Sequence, residues 1–270
     1  MREITVATVQ MFPRLNEVEA NLVHMAEFIQ KICQEQPVDL IVFPELVTTG
    51  YECGVRFTDL AERIPGHSMN VIAEQAREFN THVVFGMVAK ERVESIIYNT
   101  AVLVGPDGEM LGDYRKVHPK GEERLAFRPG YRYSVVETDF GLVGLMLGWD
   151  LAFPEVARSL ALDGAELIAV GANWEQPNVE EWRIYAQARA YENSVFVAAA
   201  NRIGAEYTYT FGGHSMVVGP RGTLHASVDE DVEGYCVARI DLDDVRKNRE
   251  ELQQFQCRQP ATYRSVVRKY

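Results

Sequence analysis

Val143-Gly-Leu-Met-Leu-Gly-Trp-Asp-Leu-Ala-Phe-Pro-Glu155 reads as a buried strand, a sharp turn and a helix opening at Pro154. Val143 to Leu147 is an apolar run of strand length, and proline is favoured at the first position of a helix. A strand–elbow–helix unit of this kind lifts one side chain out of a sheet and above a helix N-terminus, where it can meet a ligand. The residue at the elbow is Gly148, which has no side chain. The segment therefore points to an α/β fold whose reactive position carries only backbone.

Working outward, strands and helices alternate. Ile4–Gln10 is an interior strand, followed by a helix over 16–34 with Asn16 as its N-cap and Glu19 three residues on. Val18, Leu22, Met25, Ile29 and Ile32 step by four and three, giving that helix one buried face. Asp39–Pro44 is a second strand, Met69–Phe79 a helix and His82–Gly86 a strand. Tyr98–Val104 and Met110–Tyr114 flank the turn Pro106-Asp-Gly108. Beyond the elbow come a helix over 154–163, a strand over 166–170, a helix around 179–192 and a strand over 195–200. Met216–Val218 and Leu224–Ser227 form a hairpin around Gly219-Pro-Arg-Gly222, with a strand over 235–240 and a short helix over 242–252. The halves echo one another, and no linker or composition shift divides them. One domain over 1–257 is expected, with a tail over 258–270 that lacks an element of its own and suits packing on a partner subunit or disorder.

The 270 residues can bury a large core, and the composition is that of an ordinary globular protein, 47% hydrophobic and 24% charged. A formal net charge of −12 argues against nucleic-acid or anionic-membrane partners, which require a basic face. The N-terminus lacks the apolar core of a signal peptide, and no run is long enough to span a membrane. Cys33, Cys53, Cys236 and Cys257 are scattered without a CxxC pair, so neither zinc ligation nor a disulfide framework is expected. There is no phosphate loop and no metal-ligand cluster, so no cofactor is expected. A cytoplasmic location fits these features.

Glu45 follows the apolar strand at Pro44, at the carboxyl end where α/β folds place functional groups; a surface loop acid is its alternative reading. Lys116, in Asp113-Tyr-Arg-Lys-Val-His118, and Glu123, after Gly121-Glu122, are ordinary charged residues when taken singly. Their joint pattern is more telling. The chain resembles the nitrilase, or carbon–nitrogen hydrolase, superfamily over nearly its whole length. The resemblance is carried by Phe43-Pro-Glu-Leu46 with Thr49-Gly-Tyr51, then Tyr114-Arg-Lys-Val-His118, and Glu123 four residues before Phe127. It continues in Trp149-Asp-Leu-Ala-Phe-Pro-Glu155, Arg189-Ala-Tyr-Glu-Asn193, Asn201-Arg-Ile-Gly204 and Gly213-His-Ser215. Each is weak alone, and the ordered set is specific.

The resemblance implies a four-layer α-β-β-α sandwich, a homodimer or larger homo-oligomer, and hydrolysis of a small linear amide, carbamoyl compound or nitrile through a thioester. It makes Glu45 the general base, Lys116 the stabiliser of the tetrahedral intermediate and Glu123 the second glutamate, which positions substrate. The family's nucleophile is a cysteine immediately before an aromatic–Asp pair, which is position 148, where this chain departs from the pattern with Gly148. Three explanations stand open: a cysteine removed to trap substrate, a natural homologue that keeps the pocket for binding, or non-covalent acid–base catalysis on the same scaffold. Tyr51, Trp149, Asn173, Trp174 and Tyr191 are candidate substrate-binding residues. Cys53 is a remote substitute nucleophile, and Arg56, Arg128 and Arg202 are candidate partners for an acidic substrate. His118 and His214 are expected to be structural.

Overall fold

Along β1 (Glu3–Gln10), Ile4 and Val6 point to one face while Ala7 and Val9 point to the other, the period-2 alternation of a strand buried on both sides. The computed structural model describes residues 1–91 and 96–268. The chain continues through α1 (Val18–Glu35), β2 (Leu40–Val42), α2 (Phe57–Leu60), α3 (His67–Phe79), β3 (His82–Lys90), β4 (Ile97–Val104) and β5 (Met110–Arg115). After α4 (Glu123–Ala126) come β6 (Ser134–Glu137), β7 (Leu142–Leu147), α5 (Pro154–Leu162), β8 (Leu167–Ala172), α6 (Val179–Asn193) and β9 (Phe196–Asn201). The last elements are β10 (Ile203–Ala205), β11 (Thr210–Gly212), β12 (Met216–Val218), β13 (Leu224–Ser227), β14 (Gly234–Asp241) and α7 (Asp243–Leu252).

One six-stranded sheet has the order β14-β1-β2-β3-β4-β5 and the other β13-β12-β9-β8-β7-β6. Each has a parallel centre, β1-β2-β3 or β7-β8-β9, with antiparallel strands added at both edges. The inner faces pack on one another through Val6, Val42, Val84, Val143, Leu145 and Ala198. The outer face of the first sheet is covered by α1 and α3, through Leu22, Met25, Ile29, Met69 and Ile72. The outer face of the second is covered by α5 and α6, through Val156, Leu160, Trp182 and Ala186. The fold is the expected four-layer sandwich.

Local departures have physical causes. Asn16 does not cap α1: it is left-handed at φ 64 and its N–H donates to Thr49 O at 2.8 Å, so the helix begins at Val18 with no side-chain cap. Asn21 inside α1 holds the entering loop instead, bonding Arg14 N, Arg14 O and Thr48 O. In the tail, Pro260–Thr262 and Arg264–Val267 form single exposed 3-10 turns. The sheets come close where the chain leaves β2: a Cβ on Gly171 of β8 would lie 2.8 Å from Phe43 O and 3.0 Å from Glu45 N. Glycine at 171 therefore lets the Pro44-Glu45 backbone cross the end of the second sheet.

Candidate active site

β2 ends because Pro44 has no N–H for the ladder. Its carbonyl accepts from Gly86 N at 3.2 Å, and the next residue, Glu45, turns into the space between the sheets at 1% exposure. Lys116 follows β5 directly, its N–H bonded to Asn99 O of β4 at 2.9 Å. Glu123 opens α4. The three converge, with Lys116 Nζ 2.7 Å from Glu45 Oε1 and 2.7 Å from Glu123 Oε2. All are buried, a placement that charged groups tolerate only when paired, since an isolated interior charge costs several kcal/mol.

Further donors fix Glu45. Asn99 Nδ2 donates to Oε1 at 2.7 Å, and the Asn173 backbone N–H donates to Oε2 at 3.1 Å. Burial, reinforced by the Glu123 charge and opposed by Lys116, pushes the Glu45 carboxyl up to about 7. Burial pulls the Lys116 ammonium down, but the two carboxylates outweigh it and hold the lysine above its ordinary value. Burial, with Glu123 and Glu45 beside it, also raises the Tyr51 phenol.

Gly148 begins a 3-10 turn, Gly148–Ala152, at the end of β7, with φ +41. A Cβ built there would face the Glu45 carboxylate, with Cδ at 3.0 Å and Oε1 at 3.1 Å, and Oε2 closer still. The glycine backbone and the Glu45 carboxylate are thus direct neighbours. The turn is pinned from below: Asp150, fully buried, accepts from Tyr114 Oη at 2.7 Å, His118 N at 2.9 Å and His118 Nδ1 at 2.7 Å. Arg189 of α6 donates to Leu151 O at 2.9 Å and Ala152 O at 3.1 Å, satisfying the turn's carbonyls.

Glu45, Lys116 and Glu123 line a small cavity of about 20 Å³, together with Tyr51, Trp149, Asn173 and Trp174. Lys120, Glu175 and Asn178 complete its wall. Both carboxamide atoms of Asn173 are buried without a hydrogen-bond partner, which leaves a donor and an acceptor for a ligand. Of the expected binding residues, Tyr191 lies elsewhere. It is half-exposed on α6, on the face opposite Trp182, Ala186 and Arg189, because the two-residue step from Arg189 turns a side chain about 200° around the helix.

The expected arginines do not line the cavity either. Arg202 is buried and paired with Glu206, and the charges at the mouth are Lys120 and Glu175. Cys53 donates to Thr49 O at 3.2 Å, and burial pushes its thiol up to about 12, so it is held as a thiol. His118 stacks on Phe153 and bonds Asp150, and His214 bonds Arg183, as structural histidines do. The sequence reading missed Asn99, Lys120, Asp150 and Glu175. A lone Asn in the apolar run Ile97–Val104 was the available signal for Asn99, and an acid immediately after the elbow was the signal for Asp150. Among the described residues, no group of three or more His, Cys, Asp or Glu is placed to hold a metal ion. No helix among them is long and apolar enough to cross a membrane.

Two glutamates and a lysine, buried and ion-paired, meet inside an α-β-β-α sandwich. The chain belongs to the carbon–nitrogen hydrolase family, whose profile matches residues 5–250. It is 39% identical to a probable nitrilase of Schizosaccharomyces pombe over 266 residues, 97% of this chain and 98% of the relative. The carbon–nitrogen hydrolase of Helicobacter pylori G27 superposes with a TM-score of 0.93 at 26% identity, covering 99% of each chain. An amidase of the nitrilase superfamily from Nesterenkonia sp. AN1 superposes at 0.82 with 27% identity, over 93% of this chain and 96% of that one. That structure shows a mutant with the acetamide moiety of fluoroacetamide added covalently at the active-site cysteine.

Proposed function

We propose that the cavity is an amide site in which Glu45 is the general base, Lys116 stabilises the oxyanion and Glu123 positions the substrate. Position 148 is then the seat of a thiol nucleophile that this chain lacks. The observation that carries the reading is the buried Glu45–Lys116–Glu123 cluster, with Lys116 Nζ at 2.7 Å from each carboxylate, beside the backbone of Gly148.

The chemistry follows from these groups. With a thiol at 148, Glu45 takes its proton and the sulfur attacks the amide carbon, whose oxygen becomes an oxyanion held by the Lys116 ammonium and the Trp149 N–H. The C–N bond breaks as Glu45 returns the proton to the leaving amine, leaving a thioester. Water, deprotonated by the same carboxylate, then cleaves the thioester to release the acid and restore the thiol. With Gly148 no sulfur is present, and loss of such a nucleophile costs on the order of 10⁶ in turnover. The test is Gly148→Cys on a panel of short amides, carbamoyl compounds and nitriles. Turnover with an initial burst is expected, and an inert variant on the whole panel overturns the reading.

A second reading, a pocket that binds a small amide or carboxylate without turnover, is favoured by the Glu45 carboxylate standing where a side chain at 148 would begin. Product formation by the protein with Gly148 in place rejects it. The proposal also includes a single domain over 1–257, a cytoplasmic location, and a homodimer formed through α5 and α6, where Leu162 and Ile184 are exposed.

A further inference from the structure

The inner end of the cavity recognises the reacting group; its outer end is charged in both senses. Lys120 precedes α4 and Glu175 follows β8, and they meet at the mouth with Nζ 3.5 Å from Oε1. That is a stretched pair: charge-assisted hydrogen bonds usually lie near 2.8 Å, and Lys116 in the same cavity reaches 2.7 Å with each of its partners. Lys120 Nζ is placed by another contact, 4.4 Å above the centre of the Trp149 ring. Both side chains of the pair keep access to solvent, 42% for Lys120 and 29% for Glu175. Asn173, lining the same cavity, offers its unpartnered carboxamide donor and acceptor.

We propose that Lys120 and Glu175 form a subsite for a zwitterionic substrate end, an α-amino acid group whose carboxylate meets Lys120 and whose ammonium meets Glu175. This rests on the amide reading of the inner cavity. The argument is one of charge balance. A ligand with only a carboxylate brings it to Lys120 and beside Glu175, a like charge. A ligand with only an ammonium meets Glu175 beside Lys120. A neutral end gains nothing from either group. An α-amino acid end replaces one stretched contact with two of opposite sense, and its charges are separated by a distance comparable to the gap between the pair. The substrate class is then an α-amino acid whose side chain ends in an amide or carbamoyl group, with that group toward Lys116 and the amino acid head at the mouth.

Calorimetric titration of the intact chain, Gly148 included, tests this with four primary amides: L-glutamine, pentanamide, the monoamide of glutaric acid and 4-aminobutanamide. Glutamine is expected to bind about tenfold more tightly than pentanamide, and more tightly than either singly charged amide. Lys120→Met should remove the advantage of glutamine while strengthening 4-aminobutanamide. Glu175→Gln should also remove it while strengthening the glutaric monoamide. Opposite changes for opposite charges are not what a general loss of structure produces. Equal affinity for pentanamide and glutamine, or variants that leave the ranking unchanged, overturns the zwitterion subsite and leaves the amide site standing. Binding by none of the four overturns both.

Discussion

Gly148 has φ +41, a conformation that costs a residue with a side chain about 1–3 kcal/mol when the surrounding structure imposes it. The elbow is imposed from several sides, by Asp150, Tyr114, His118 and Arg189. Gly148→Ala should therefore lower stability by that amount in urea denaturation. It should also displace the Glu45 carboxylate, which occupies the neighbouring space. That displacement is modest, because a carboxylate is the far end of a flexible side chain. Introducing a thiol at 148 is thus structurally feasible, and its activity should carry the signature of Glu45. A base works only when deprotonated, and burial holds Glu45 at about 7, above its ordinary value. The activity of Gly148→Cys should rise with pH through the region of 7, and Glu45→Gln should abolish it. Lys116 is held above its ordinary value and stays cationic, so it contributes no alkaline fall across the neutral range. A pH–rate profile checks both limbs; a maximum near pH 5 would contradict the assignment of Glu45.

Among the elements, the elbow is the one whose integrity the site most requires, and its weak point lies outside it. Arg189 of α6 bonds the carbonyls of Leu151 and Ala152. Arg189→Ala leaves both without their guanidinium donor and should cost about 2–4 kcal/mol, measured as a lower denaturation midpoint. Arg189→Lys should rescue little, since an ammonium lacks the planar fork that spans two carbonyls. Elements such as β7 and α5 were legible in the sequence because both local signals agree there, an apolar run and then a proline at helix position one. Glu45 was legible in part as an acid at a strand end, whereas Lys116 and Glu123 were legible only through the ordered set of signatures, since each is an ordinary charged residue when taken singly. The partners that fix them were not legible. Asn99 meets Glu45 only because β4 pairs with both β3 and β5, and Lys120 meets Glu175 only because two distant loops share one mouth. Long-range register of this kind leaves no periodic trace. Tyr191 fell on the wrong face because a signature fixes a helix but not which of its residues turns inward. The edge strand β6 and the hairpin of β10 and β11 were unread because both are short and lack an apolar run.

At the scale of the whole molecule, two sheets with parallel centres lie face to face, so the ends of β2, β5 and β8 open into one cavity. The helices of the second sheet present Leu162 and Ile184 to solvent, apolar residues that a partner copy would cover. Sedimentation should give twice the 30.5 kDa chain mass, and Ile184→Glu should shift it toward the single chain; a monomer at micromolar concentration would contradict the dimer. The central claim is narrower: an intact acid–base centre stands beside a backbone position that lacks only its sulfur. Intact-mass spectrometry of Gly148→Cys, acid-quenched during turnover of fluoroacetamide, tests it most directly. The account predicts a single fluoroacetyl thioester that peptide mapping places at position 148, and no adduct on the protein with Gly148. Adduct formation confined to the other cysteines, or equal labelling of the protein with Gly148, would contradict it.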